Sequence, residues 1–292
     1  MSEHIGLVGL GLVGTAIAER LLAERFAVVG FDIDSAKCKH FEGLGGKAVV
    51  GPAELGQQAD RVILSLPDTE IVRQVVEGPG GILKAKMPPA YIIDTTTGDP
   101  EETIALAQRL AERSIYLLDS TTSGSSRQVR NKEAVFMVGG DKDAFEACMD
   151  VFDALTEKVF YLGPSGSGSK AKLASNLILG LNRLALAEGL VFASRLGLDL
   201  PAFLKLLKAT PAYSAIMDTK GQKMLSRDFE AEARLRQHHK DVSIILKYAE
   251  KAGQELPLSK AHFDVLKKAI AAGDAELDNS AVIREIERRM SP

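Results

Sequence analysis

Apolar residues in the first half of the chain fall in short runs, and between the runs they recur at helical spacing. Ile5–Gly9, Ala27–Phe31, Val62–Leu66, Tyr91–Asp94, Tyr116–Asp119, Ala134–Val138 and Val159–Leu162 read as strands. Helical patterns lie between most of them, over 13–24, 35–44, 69–77, 100–113 and 142–155. The runs are continuous, as in strands covered on both faces. This β–α alternation predicts an α/β domain with an open, doubly wound parallel sheet.

After Leu162 no strand pattern is evident. Helical patterns cover 169–195, 201–209, 214–225, 235–252, 257–272 and 279–290, with breakers at Gly197, Pro211, Gly253, Pro257 and Gly273. The first would be roughly 40 Å long at 1.5 Å per residue, which suits a spine between two domains. The expected organisation is a dinucleotide-binding domain over 1–163, a connecting helix over 164–195 and an all-helical domain over 196–292.

Composition narrows the function classes. Net charge is −3 and there is no basic block with interleaved aromatics, so no nucleic-acid partner is expected. Cys38 and Cys148 lack metal-ligand spacing and read as unpaired thiols of a reduced, cytoplasmic protein; no metal is expected. Glu3 and His4 stand where a signal peptide would need a basic start. The most apolar stretch, around 173–193, carries Asn176, Asn182, Arg183 and Glu188, so no membrane span is expected.

Two segments carry candidate chemistry. Gly9-Leu10-Gly11-Leu12-Val13-Gly14 matches G-x-G-x-x-G between a strand run and a helix run. Gly9 permits the tight turn, Gly11 admits a pyrophosphate, and Gly14 allows close helix–strand packing. Asp32 ends the second strand run, where an acid binds the adenosine ribose and repels a 2′-phosphate. NAD is therefore expected, with NADP kept open by the nearby Lys37. Asp34 or Ser35 would cap the next helix equally well, which is the ordinary alternative for an acid here. Leu66-Pro67 and Asp94–Thr97 follow strand runs, at the end of the sheet where such folds bind ligands. Thr96 is placed either to donate to cofactor or substrate, or to help cap a helix; Thr97 and Asp99 read as caps.

The other segment runs from Gly163 to Asn176 and ends with Lys172 and Asn176 four residues apart. On a helix they share one face, where a cation and an amide can hold one oxygen of a bound molecule. Asp119–Ser126 is rich in small hydroxyl residues and reads as a loop exposing amides and hydroxyls to a carboxylate, or as a polar surface turn. Arg227-Asp228-Phe229 and His239-Lys240-Asp241 form a further cluster in the helical half.

In order along the whole chain, the glycine signature, Leu66-Pro67, Gly78-Pro79-Gly80-Gly81, Asp94–Thr97, Ser123-Gly124, Val138-Gly139-Gly140-Asp141, Gly163–Asn176 and Lys240-Asp241 resemble the β-hydroxyacid dehydrogenase family. That family includes 3-hydroxyisobutyrate dehydrogenase, tartronate semialdehyde reductase and the glyoxylate/succinic semialdehyde reductases. The resemblance implies a Rossmann-like domain, a long connecting helix and a helical domain that closes the cleft. It matches Lys172 to the catalytic lysine, Asn176 to the substrate-positioning asparagine, Ser123 and Gly124 to the carboxylate loop, and Lys240 to a lysine reaching the cofactor and substrate. Two departures stand out. The family loop usually reads Asp-Ala-Pro-Val-Ser-Gly-Gly, where this chain has Ser120-Thr121-Thr122 and then Ser125; the asparagine pair is Ser175-Asn176.

The implied activity is hydride transfer between NAD(P) and a small β-hydroxyacid or its semialdehyde. Ser123, the Gly124 amide and Thr96 would hold the carboxylate, and Asn176 the reacting oxygen. Lys172 would exchange the proton and stabilise alkoxide. Lys170 and Lys240 are candidates to lower its proton affinity. A non-catalytic NAD(H)-binding module and an imine-reductase-like enzyme are the competing readings. The apolar girth of the spine helix predicts a homodimer or homotetramer.

Overall fold

A computed structural model of the chain describes residues 4–289. Glu3 and Met290, named above in the leader and last-helix expectations, lie outside the described residues. The chain divides into two compact units, Met1–Lys172 and Leu173–Pro292.

The first unit is an eight-stranded sheet: β1 His4–Val8, β2 Ala27–Phe31, β3 Lys47–Ala48, β4 Arg61–Leu64, β5 Tyr91–Asp94, β6 Tyr116–Ser123, β7 Val135–Gly139 and β8 Lys158–Tyr161. Its helices are α1 Leu12–Ala23, α2 Ser35–Gly43, α3 Pro52–Gln58, α4 Thr69–Glu77, α5 Pro100–Ala111, α6 Ser126–Arg130, α7 Lys142–Ala147 and α8 Met149–Leu155. The strand order is β3-β2-β1-β4-β5-β6-β7-β8, with the chain reversing direction across the sheet at β1 and β4. Glycine signature and strand-end loops therefore gather at one end, the switch point where such sheets bind ligands.

Alternate residues of each inner strand feed two cores. Ile5, Leu7, Ile63 and Ile93 pack on one face with Ile17, Leu21, Phe136 and Phe152. Val8, Val62, Leu64 and Ile92 pack on the other with Leu55, Leu106 and Leu110. Burial on both faces explains the continuous apolar runs.

Three expectations are corrected. The sheet is not wholly parallel, because β6 and β7 pair antiparallel. Only residues 124–134 join them, too short a link for a parallel crossover, which takes a dozen residues or more. The hydroxyl-rich segment is not a loop from Asp119 onward. It continues β6 to Ser123, and Ser120 and Thr121 are fully buried (0% exposed). The helix over 142–155 breaks at Cys148 into α7 and α8. The elements β3, α3 and α6 were not anticipated; each is too short to show a period.

The division between units falls inside α9, Ser167–Arg195, one uninterrupted helix of 29 residues. By length and composition alone α9 is apolar enough to cross a bilayer, contrary to the expectation drawn from its polar residues. In the fold, its Leu186, Ala187 and Leu190 are core residues, and its Lys172, Asn176 and Arg183 are buried.

The second unit continues with α10 Leu200–Lys208, α11 Gln222–Ser226, α12 Leu235–Lys251, α13 Pro257–Ala271 and α14 Val282–Arg288. Among its described residues the only strand-like feature is an isolated bridge between Arg234 and Asp278. The pattern over 214–225 resolves into a π-helical turn, Met217–Gly221, leading into α11. That turn buries Lys220, whose Nζ lies 2.9 Å from the fully buried Asp278. Asp278 also accepts the amides of Glu232, Ala233 and Ser280, so one carboxylate gathers three segments.

The core of this unit also holds a histidine pair. The rings of His238 and His262 lie 5.1 Å apart, tilted at 45°, against Gly180 of α9, where a Cβ would lie 2.6 Å from His238. Burial, and then the nearby Arg183 charge, push His262 down to about 4 from an ordinary 6.5. The unfolded chain therefore takes a proton at this position in a range where the folded chain does not. Stability is fully present above about pH 6.5 and is lost as pH falls toward about 4, by about 3 kcal/mol in all. Thermal melts of the full chain across that range are expected to show this acid arm. In His262→Gln the arm is expected to flatten, whatever the variant's absolute stability; an unchanged slope would refute the assignment.

Candidate active site

The three signature glycines act differently. Gly9 has φ +93°, and a Cβ there would lie 2.3 Å from the Ser65 carbonyl oxygen. At Gly14 a Cβ would lie 1.9 Å from the Gly9 carbonyl oxygen, so α1 packs directly on the turn. At Gly11 nothing lies within 4 Å of that position. Gly11 is also the N-cap of α1 and gives it no side-chain cap, whereas Asp34, Asp68, Asp99, Asp141 and Asp199 cap α2, α4, α5, α7 and α10. The first turn of α1, with Leu12 and Val13, thus presents amides and the positive end of the helix dipole beside open space. A pyrophosphate fits that arrangement.

Asp32 is tied to this turn. Its carboxylate accepts the Leu10 amide at 2.8 Å and the Asp34 amide at 2.9 Å. The capping role belongs to Asp34, which accepts the Ala36 amide. Lys37 Nζ sits 3.3 Å from Asp32, so this cation is engaged by the acid.

Thr96 joins two strand-end loops. Its hydroxyl accepts the Leu66 amide at 3.2 Å, and its own amide donates to Asp94 at 2.9 Å. The hydroxyl proton remains to donate to a ligand. The cap of α5 is Asp99, not Thr97. Leu66 is half-buried and Pro67 exposed beside this latch.

The next group lies on β6. Asp119, buried to 1% exposure, accepts the amides of Gly166 at 2.9 Å and Ser169 at 2.7 Å. Burial raises its carboxyl above the ordinary range, opposed by these two amides. Thr121 donates its hydroxyl to the Gly168 carbonyl at 2.9 Å. Ser123 is half-buried and Gly124 exposed where β6 ends. The Ser125 amide is already bonded to Gln128 Oε1 at 2.9 Å, closing a capping box on α6. Asp119, Thr121 and the Ser125 amide are thus engaged within the protein, which leaves the Thr122 hydroxyl without a partner beside Ser123 and Gly124.

Lys172 and Asn176 are 7% and 4% exposed on α9, and their four-residue spacing in one helix keeps them on one side of it. Lys170 is exposed. Within the second unit, Asn176 Nδ2 donates to Asp241 Oδ2 at 3.1 Å, and Lys240 Nζ lies 3.2 Å from Asp241 Oδ1. Asp241 thereby joins two of the expected site residues and fixes which end of the Asn176 amide faces it. Arg227, from the same sequence cluster, instead pairs with Glu287.

Gln128 is not anticipated from sequence, and Asp119 and Asp241 enter there only as members of motifs, with no role of their own. Asp241 had a readable signal: it lies on the buried stripe of α12 with Leu235, His238, Val242 and Ile245, where an acid needs a partner.

Known proteins resemble this chain along its whole length. Residues 4–163 match the NAD binding domain of 6-phosphogluconate dehydrogenase. Residues 166–286 match the NAD-binding domain of NADP-dependent 3-hydroxyisobutyrate dehydrogenase. The chain is 29% identical to 2-(hydroxymethyl)glutarate dehydrogenase of Eubacterium barkeri, covering 97% of this chain and 94% of that protein. It is 30% identical to L-threonate dehydrogenase of Cupriavidus necator, covering 97% and 96%. Among solved structures, Mycobacterium tuberculosis 3-hydroxyisobutyrate dehydrogenase with L-serine superposes with a TM-score of 0.86 at 25% identity, covering 99% and 100%. The chain belongs to the β-hydroxyacid dehydrogenase family and is an NAD(P)-dependent oxidoreductase of the 3-hydroxyisobutyrate dehydrogenase type, acting on hydroxyacids.

Proposed function

We propose that this enzyme interconverts a small β-hydroxyacid and its semialdehyde, with Lys172 as the proton-exchanging group. The observation that carries the reading is a buried lysine one helical turn beyond an α9 start that is bonded to the strand bearing Ser123. Ser123 and the Gly124 amide hold the substrate carboxylate, with the Thr96 hydroxyl as a further donor. Asn176, oriented by Asp241, holds the reacting oxygen. Lys172 gives that oxygen a proton in reduction and takes it in oxidation. Its charge stabilises the alkoxide as it forms. The nicotinamide, when bound, supplies or accepts the hydride. The names of two relatives, 2-(hydroxymethyl)glutarate dehydrogenase and L-threonate dehydrogenase, support a hydroxyacid substrate. A steady-state screen of such acids and semialdehydes with both cofactors tests the reading. Turnover of at least one carboxylate-bearing semialdehyde supports it. Turnover of cyclic imines alone, or cofactor binding without turnover, overturns it.

NAD is the proposed preferred cofactor, because Asp32 offers a carboxylate to the ribose and holds Lys37. Asp32→Ala removes the acid and releases the cation. The ratio of NADP to NAD activity is expected to rise by roughly 10-fold or more, the size of one charge-assisted hydrogen bond of about 1.5–3 kcal/mol. An unchanged ratio would contradict the assignment.

The protein is further proposed to be a cytoplasmic homodimer or homotetramer. Ile178, Phe192, Leu196 and Leu206 are exposed large apolar side chains on or near α9 and α10, which supports a partner surface there. Light scattering that returned a monomer mass would reject this.

A further inference from the structure

Asp119, Thr121 and Ser123 alternate along β6 and so lie on one face of it. Two of the three are bonded to the start of α9: Asp119 to the amides of Gly166 and Ser169, and Thr121 to the carbonyl of Gly168. The contact is close enough to exclude any side chain. A Cβ on Gly168 would lie 2.2 Å from the Asp119 carbonyl and 2.4 Å from the Met137 carbonyl, and one on Gly139 would lie 2.6 Å from Asp119 Oδ1. Gly139 faces Asp119 and Met137 faces Thr121 in the β6–β7 pairing, so the helix start is seated on two paired strands. The third residue of the face is Ser123, and Lys172 follows Ser169 by three residues, one turn further along the helix. All these residues belong to the first unit.

We infer that Asp119 and Thr121 are positioning residues: by bonding the first turn of α9 to the face of β6 that ends in Ser123, they fix Lys172 relative to the carboxylate-binding group. The inference rests on the proposed roles of Lys172 and Ser123. It also accounts for the departure at this loop. The Thr121 hydroxyl serves the protein's own helix and not the substrate, so this part of the unusual segment tunes geometry, not substrate polarity.

The test compares Thr121→Val, which keeps the shape and removes the hydroxyl, with Thr121→Ser, which keeps the hydroxyl, both in the full chain. Thr121→Val is expected to lose roughly 10-fold or more in kcat, as sub-ångström to ångström misplacement of a catalytic group does. KM for the acid and NADH affinity are expected to stay near wild type, and Thr121→Ser to recover most of the lost kcat. Thr121→Ala replaces the valine variant if that one fails to fold. Wild-type kcat without the hydroxyl, or an equal kcat loss in Thr121→Ser, overturns the inference. So does a loss that appears only as lowered NADH affinity. Lys172→Ala run alongside separates the two readings: if it retains turnover, the role of Lys172 fails; if it is inactive while Thr121→Val is unaffected, only the positioning role fails.

Discussion

Lys172→Ala is expected to reduce turnover by ~10²–10⁴-fold, the usual contribution of a positioned proton donor, while NADH affinity changes by no more than about twofold. The separation follows from where the parts lie. The glycine turn, Asp32 and the Leu66–Thr96 latch are built at the ends of β1, β2, β4 and β5 and are held by the Leu10–Asp32, Leu66–Thr96 and Thr96–Asp94 bonds. The lysine side chain is buried on α9, whose start is held by backbone amides and a carbonyl that the substitution leaves in place. Single-turnover kinetics and calorimetric titration of NADH on the same preparation check both halves. Near-normal turnover would remove Lys172 from the mechanism. Lost NADH binding would mean that the substitution had damaged the fold.

The second large effect is expected at Gly14, and its contrast with Gly11 is the informative part. Gly14→Ala drives a methyl to 1.9 Å from the Gly9 carbonyl oxygen, which is backbone and has nowhere to go. Either α1 moves off the sheet or the turn opens. Overpacking of this kind costs about 1–3 kcal/mol, and the moved amides no longer converge on a phosphate. Lower melting temperature and lost cofactor binding are expected together. Gly11→Ala meets no protein atom within 4 Å, so the fold is expected to tolerate it. Its methyl occupies only the space left for the pyrophosphate, and cofactor affinity is expected to fall at unchanged melting temperature. If both variants bind NADH normally, the turn is a packing device and the cofactor lies elsewhere.

Much of this arrangement was legible from the chain. The β–α alternation, the glycine turn with Asp32, and the long helix carrying Lys172 and Asn176 depend on local periodicity and fixed spacing, which a sequence displays directly. What escaped depends on contacts between distant residues. The segment Ser120–Thr122 has the composition of a loop, yet it is strand, because Asp119–Ser123 finds a partner in Val135–Gly139 and a helix start to bond to. Propensity yielded to tertiary pairing there. The capping box of Ser125 and Gln128 removes an amide that the residue types alone would leave to the substrate. Asp119 and Asp241 read as ordinary acids until their partners, 50 and 65 residues away, are seen.

These contacts alter the meaning of the unusual loop. The Thr121 hydroxyl donates to the start of α9 and the Ser125 hydroxyl accepts an amide of α6, so these two groups serve the protein's own helices, while the proposed carboxylate group remains Ser123 and Gly124.

The most direct test is label transfer. NADH deuterated at its transferable position is incubated with the wild-type enzyme and a β-semialdehyde acid, and the product is read by mass spectrometry. Deuterium on the new carbinol carbon is the result predicted for hydride transfer at this site, with the signal lost in Lys172→Ala. NADH that binds but leaves every aldehyde of the panel unreduced, or a reduced product without deuterium, would contradict it.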